Sequence, residues 1–153
     1  MIKVALPNKG GLYEPAIDLF ASCGYRVARP NGVLTVIDTD NEVEFYFLPP
    51  GDIPLYISNG ILDAGVTGKD FVAEKCLGPL ELLDLNFGHS RLCAAVPFDH
   101  PAKSLEDVAA MRIATSSPAI VRRCFEGRDL KLVELEGAVE ISVRLGIAEA
   151  VVD

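Results

Sequence analysis

Residues 60–70 read Gly60-Ile61-Leu62-Asp63-Ala64-Gly65-Val66-Thr67-Gly68-Lys69-Asp70. A helix ending at Gly60, a short buried strand through Val66 and a glycine turn at Gly68 account for this order, with Lys69 and Asp70 opening the next helix. In an open α/β sheet, ligands sit beyond the carboxyl ends of the strands. The turn Thr67-Gly68-Lys69-Asp70 is therefore where chemistry is expected. The phrase returns at residues 146–153, Gly146-Ile147-Ala148-Glu149-Ala150-Val151-Val152-Asp153. Laid over residues 60–67, Gly, Ile, Ala and Val fall in the same columns, and Asp63 faces Glu149. Two copies predict two similar α/β lobes, each ending a strand at a shared cleft. The first copy runs on into its turn, whereas the second reaches Asp153 without the loop expected after it.

Composition bounds what such lobes can do. The 153 residues suffice for one ordinary domain or two small lobes, and with 50% hydrophobic and 24% charged residues a packed core is expected. No apolar run approaches the roughly 20 residues of a membrane span. The opening Met1-Ile2-Lys3-Val4-Ala5-Leu6-Pro7 is too short an apolar run for a signal peptide, so a cytoplasmic location is expected. A formal charge of −8 argues against a nucleic-acid surface but leaves room for a small anionic ligand, which answers to local charge. Cys23, Cys76, Cys93 and Cys124 form no C-x-x-C pair and are expected to be reduced and mostly buried. With only His89 and His100 beside them, no protein-bound metal site is expected.

From the amino end, residues 2–6 read as a buried strand, residues 7–11 as a glycine loop, and the next segment as a helix with Ala16, Ile17, Phe20 and Ala21 on one face and Gly24 as its stop. Lys9 in that loop is either an anion contact or a solvated lysine. Strands are predicted over 33–37 and 42–48 around the turn Asp38-Thr39-Asp40-Asn41, with Val43, Phe45 and Phe47 inward. A short helix capped by Asp52 leads to Gly60. Leu80, Leu82, Leu85 and Phe87 suggest another strand, and the lobes divide as 1–88 and 89–153, so that Arg91 either faces substrate on the cleft floor or bridges the lobes. Ser104 to Asp107 resembles a capping box. Residues 112–115 read as a strand, Ser116-Ser117-Pro118 as a helix start, with Ser117 as N-cap, whose hydroxyls and N–H groups either hold an anion or form an ordinary cap, and residues 130–135 as a strand. Residues 137–145 read as a helix with Val139, Ile141 and Val143 mostly buried and Glu140 in its first turn, where a carboxylate is also favoured by the helix dipole alone.

The order of elements resembles the two-lobed, type II periplasmic-binding-protein-like α/β architecture, with a hinge near 86–92 and with the second lobe and the return to the first lobe incomplete. Leu6-Pro7-Asn8-Lys9-Gly10-Gly11-Leu12, Asp52-Ile53-Pro54-Leu55-Tyr56, Gly65-Val66-Thr67-Gly68-Lys69-Asp70, Phe87-Gly88-His89-Ser90-Arg91-Leu92, Arg112-Ile113-Ala114-Thr115 and Gly137-Ala138-Val139-Glu140-Ile141-Ser142 run in order along the chain and resemble the ATP phosphoribosyltransferase family. The resemblance implies transfer of a phosphoribosyl group from 5-phosphoribosyl 1-diphosphate to N1 of ATP, the opening step of histidine biosynthesis, with Mg2+ accompanying the diphosphate. Lys9 and Arg91 then match phosphate-contacting cations, Asp70 and Thr115 substrate-binding residues, Glu140 a carboxylate near the ribose, and Asp153 the acidic start of the phosphoribosyl-diphosphate loop. The family also implies a homo-oligomer, with histidine control through an added domain or a separate regulatory subunit. Gly11 stands where many members carry Arg, and Ser90 where many carry Cys. Because the family continues past the position of Asp153, the 153 residues alone are expected to bind the diphosphate poorly and to turn over little or not at all. The rival reading is a two-lobed module that binds a small anion or a nucleotide without chemistry.

Overall fold

The computed structural model describes residues 1–30, 32–75 and 81–153, and the chain divides into two compact units, Met1–His89 and Ser90–Asp153. In the first unit, β1 (Ile2–Pro7) is apolar along most of its length because it is the inner strand of a sheet. It pairs in parallel with β3 (Val43–Leu48) on one side and with β4 (Ala64–Gly65) on the other. A strand flanked in this way and covered on both faces must read as a continuous hydrophobic run. β2 (Thr35–Asp38) lies antiparallel at the far edge of β3, giving the order β2-β3-β1-β4. Parallel strands require long crossovers. The segment holding α1 (Tyr13–Ser22) and β2 joins β1 to β3, and α2 (Ile53–Ser58) joins β3 to β4.

The period-two pattern of β3 sorts side chains as expected. Val4, Leu6, Val43, Phe45 and Phe47 share one face with Ala16 of α1, and Ala5 shares the other with Ile53 and Leu62. Phe20, Tyr25 and Phe45 meet edge to face with ring centroids 5.2 to 5.9 Å apart. Truncating a ring such as Phe45, which is fully buried, to Ala removes about 3–5 kcal/mol. Asp38 closes the hairpin in a way the sequence reading missed. Its buried carboxylate accepts hydrogen bonds from the N–H groups of Arg26 (2.7 Å), Asp40 (3.2 Å) and Asn41 (3.3 Å), and from Asn41 Nδ2 (2.7 Å). The Arg26 N–H above all, then the Asn41 side chain, hold its pKa below the usual carboxylate range.

The second unit repeats the plan. β6 (Arg112–Thr115) is its inner strand, parallel to β7 (Lys131–Glu134) and to β8 (Ala150–Val152), and β5 (Ala94–Ala95) runs antiparallel to β8, giving β5-β8-β6-β7. Ile113, Val121, Phe125, Ala150 and Val152 form one core face, and Ala114, Val139 and Ala148 the other. Three short helices connect the strands: α4 (Leu105–Ala109), α5 (Pro118–Cys124) and α6 (Ile141–Arg144). The capping box at α4 is present. Ser104 Oγ accepts from the Asp107 N–H (3.2 Å), and the Asp107 carboxylate accepts from the Ser104 N–H (3.0 Å).

Several expectations are corrected. Residues 81–87 form no strand. Leu85 and Phe87 pack against the first core while Leu82 and Leu83 are exposed, and Leu80 lies outside the described residues. The helix expected over 137–145 shrinks to Ile141–Arg144, with Glu140 at its N-cap position. Val139 and Ser142 are buried there and Ile141 is exposed, because a spacing of two residues cannot face one side of a helix. Ala21 is exposed on α1. Cys23, Cys93 and Cys124 are free but exposed rather than buried, and Cys76 lies outside the described residues.

The repeated phrase occupies equivalent places. Gly60 (φ +67°) and Gly146 (φ +72°) both take the left-handed conformation that ends a helix. Their N–H groups donate to the carbonyls of Ile57 and Val143, and the next residues, Ile61 and Ile147, donate to Tyr56 and Ser142. Asp63 and Glu149 then do one job. Asp63 Oδ2 accepts from the Lys3 N–H (2.8 Å) while the Asp63 N–H donates to the Lys3 carbonyl (2.9 Å). Glu149 Oε2 accepts from the Arg112 N–H (2.9 Å) while its N–H donates to the Arg112 carbonyl (2.8 Å). Each acid fastens the start of its strand to the inner strand.

Candidate functional site

Parallel pairing brings the exits of β1, β3 and β4 to one edge of the first sheet. Lys9 and Asp70 lie in the segments leaving β1 and β4, and both are exposed. The turn after β4 is tied to the turn after β3 by Thr67 Oγ1, which donates to the Pro50 carbonyl at 2.7 Å. Gly68 leaves room here for the Asp70 side chain: a Cβ on it would stand 2.1 Å from Asp70 Oδ1, which would have to turn away, and 3.1 Å from the Phe71 ring. The Asp70 carboxylate thus folds back over the turn at the mouth of α3 (Lys69–Lys75). At the exit of β1, the Asn8 N–H donates to the Leu48 carbonyl (2.9 Å) and the Asn8 carbonyl accepts from Arg29 (3.1 Å). Arg29 also stacks on Phe47, 4.9 Å from the ring centroid. The glycine loop carrying Lys9 is therefore anchored at its base, and the lysine itself remains exposed.

In the second unit, the exits of β6 and β8 meet. Asp153 follows β8, and its Oδ1 accepts two hydrogen bonds from Ser116: one from the N–H at 3.1 Å and a short one from the hydroxyl. Thr115, fully buried, turns the chain by accepting the Ser117 N–H at its Oγ1 (2.9 Å), and its carbonyl accepts from the Leu135 N–H (3.0 Å). Both donors of Ser116 and the N–H of Ser117, which the sequence suggested for an anion, are thus already engaged by Asp153 and Thr115. The Ser117 side chain makes no capping hydrogen bond. Cys93 and Asp153 exchange both backbone hydrogen bonds (2.9 and 3.1 Å), so Arg91, exposed two residues earlier, stands at this same edge.

Glu140 is placed elsewhere in the unit. It is exposed on the rim of a shallow, mostly apolar groove of about 440 Å³, lined also by Ala95, Val96, Pro97, Val143, Arg144 and Val151. The structure therefore gathers Lys9 and Asp70 at one strand-end edge and Arg91, Thr115 and Asp153 at another, with Glu140 on a sheet face. Sequence reasoning missed Ser116 as the partner of Asp153. The signal available was the parallel pairing that the repeated phrase implies, which sets residue 153 beside the residue following the 112–115 strand. Among the described residues no group of three or more His, Cys, Asp and Glu side chains is placed to hold a metal, and no helix is long and apolar enough to cross a membrane.

Comparison with known proteins supplies a family. The HisG family model, described as ATP phosphoribosyltransferase, matches residues 49–153. ATP phosphoribosyltransferases of Mycobacterium tuberculosis and Rhodococcus opacus are 45% and 43% identical to the chain, and each alignment covers 100% of this chain and 54% of the relative. The chain thus spans about half the length of the curated relatives it matches. The solved ATP phosphoribosyl transferase (HisG:HisZ) complex from Thermotoga maritima contains a chain that superposes with a TM-score of 0.80 at 26% identity, over 100% of this chain and 73% of that one. On these matches the chain belongs to the ATP phosphoribosyltransferase family.

Proposed function

We propose that the protein transfers the 5-phosphoribosyl group of 5-phosphoribosyl 1-diphosphate to N1 of ATP, releasing pyrophosphate in the first step of histidine biosynthesis. Family membership gives the reaction class. The single observation that carries the reading is Asp153, exposed beyond β8 and held by Ser116 where strand exits converge. This is where a ligand of an α/β sheet is received.

The chemistry asks for little covalent help. The reacting carbon becomes oxocarbenium-like as the diphosphate departs, so two anionic substrates must be held in line and the growing charge on the leaving group met by cations. In this reading Asp153 accepts hydrogen bonds from ribose hydroxyls, and Glu140 is the second carboxylate toward the ribose. Lys9 and Arg91 contact phosphates, Asp70 contacts the adenine nucleotide, and Thr115 serves the substrate-binding turn by holding its shape. N1 of adenine carries its own lone pair, so no dedicated base is assigned. Mg2+ enters as part of the diphosphate substrate, where it neutralises charge. The described side chains offer no three-ligand cluster of their own for it. We further place the protein in the cytoplasm and in an oligomer or with a second subunit, the latter on the ground of the HisG:HisZ complex.

The test is pyrophosphate release by the chain carried in a protein of its relatives' full length. Release is expected to require both ATP and 5-phosphoribosyl 1-diphosphate, and Asp70→Ala is expected to lower kcat/KM more than about tenfold, as for a lost substrate-positioning contact. Binding of an anion or nucleotide with no release would favour the module without chemistry.

A further inference from the structure

The last column of the repeated phrase does different work in the two units, and the difference singles out Ser116. In the first unit that column is Thr67, a hydroxyl that donates to the Pro50 carbonyl after β3. In the second it is Asp153, a carboxylate that receives both donors of one residue after β6. The backbone of Asp153 is already fixed by its two hydrogen bonds to Cys93. Ser116 is not needed to hold the chain there. What it restrains is the side chain: both bonds fall on Oδ1, and among the described residues no donor is assigned to Oδ2. A carboxylate pinned through one oxygen keeps a defined plane and presents the other. Ser117 does not share this task, and its N–H is held by Thr115 Oγ1.

We propose that Ser116 is a positioning residue for the phosphoribosyl-diphosphate substrate, acting through Asp153 by fixing the carboxylate so that Oδ2 meets the ribose hydroxyls. This rests on the role given to Asp153 above. Pre-set acceptors stabilise a bound ligand without the cost of ordering them at binding. Ser116 is exposed, so its replacement leaves the core intact.

The experiment compares Ser116→Ala, Ser116→Thr and Asp153→Asn in the full-length active protein, measuring KM for each substrate separately. Ser116→Ala is expected to raise KM for phosphoribosyl diphosphate about tenfold, the scale of one hydrogen bond to a charged group, with KM for ATP changed less than about twofold. Ser116→Thr, which keeps the hydroxyl, restores the parent value. A normal KM in Ser116→Ala while Asp153→Asn is impaired overturns the positioning role and leaves that of Asp153 standing. A parallel rise in both KM values would make Ser116 merely structural. If Asp153→Asn itself leaves KM for the diphosphate unchanged, the reading of Asp153 fails and the inference goes with it.

Discussion

Residues 60–67 and 146–153 build the same corner in two different sheets and differ most in what their last residue does. Both begin with a left-handed glycine, both turn an acid back onto the inner strand, and both continue into a strand parallel to it. Thr67 then ties two turns together, whereas Asp153 presents a carboxylate. The glycine and acid columns carry what both corners need, and the last column carries what only one corner does. An internal repeat is thus informative twice: its agreements locate scaffold, and the change in its last column marks the residue proposed for the site.

The sharpest way to break this comparison is to alter the two last residues. Asp153→Ala in an active full-length protein is expected to lower kcat/KM for phosphoribosyl diphosphate on the order of a hundredfold with a smaller stability loss than Thr67→Ala, since the two Ser116 donors it releases are exposed and take up water. Thr67→Ala is expected to show itself in thermal melting, by about 1 kcal/mol for one lost hydrogen bond. A stability loss for Asp153→Ala as large as that for Thr67→Ala would erase the distinction between them.

A finer probe compares the glycines. A Cβ on Gly60 or on Gly146 meets nothing within 4 Å, so the cost of Ala at either comes from backbone conformation alone. Each replacement is expected to destabilise by about 1 kcal/mol, and by similar amounts. Unequal losses in chemical denaturation would mean that the two corners are not equivalent.

The smallest effect expected is on acid stability. Asp38 in the first unit and Glu149 in the second are both held below the usual carboxylate range, Asp38 chiefly by the Arg26 N–H and Glu149 chiefly by the Arg112 N–H. Because the folded pKa is depressed, each contributes stability that is full above the unfolded value, near pH 4, and is lost as pH falls through the folded value. Glu149→Gln should therefore lower stability at neutral pH and converge with the parent in acid. A constant difference between the two at every pH would disprove the linkage.

Much of this arrangement was legible in the residues. The inner strands announce themselves as short apolar runs, β3 by strict alternation, and the α4 cap by Ser104 and Asp107 at the right spacing. Failures arose where a local pattern competes with tertiary context. Leu82, Leu85 and Phe87 look like strand residues, yet residues 81–87 pair with no strand and Leu82 faces outward. Asp38 reads as a turn residue because a buried carboxylate is recognised only once its four donors are in place. Among the proposed site residues, Lys9, Asp70 and Asp153 stand at strand exits as their positions after β1, β4 and β8 imply. Thr115 does not present itself: it is buried, its hydroxyl spent on the turn. Ser116 was read as a donor to a ligand and is instead a donor to the chain.

The strand order also sets a timetable for biosynthesis. In each unit the inner strand is made early, and the repeated phrase supplies the last of its parallel neighbours: β4 after β1 and β3, and β8 after β6 and β7. At about 5–20 residues per second, β1 waits roughly 3–12 s on the ribosome before β4 has been made. Until then one of its edges stays open to any passing strand. The phrase that carries the fold's symmetry is therefore also the moment at which each sheet can close, and the nascent chain passes through that vulnerable interval twice.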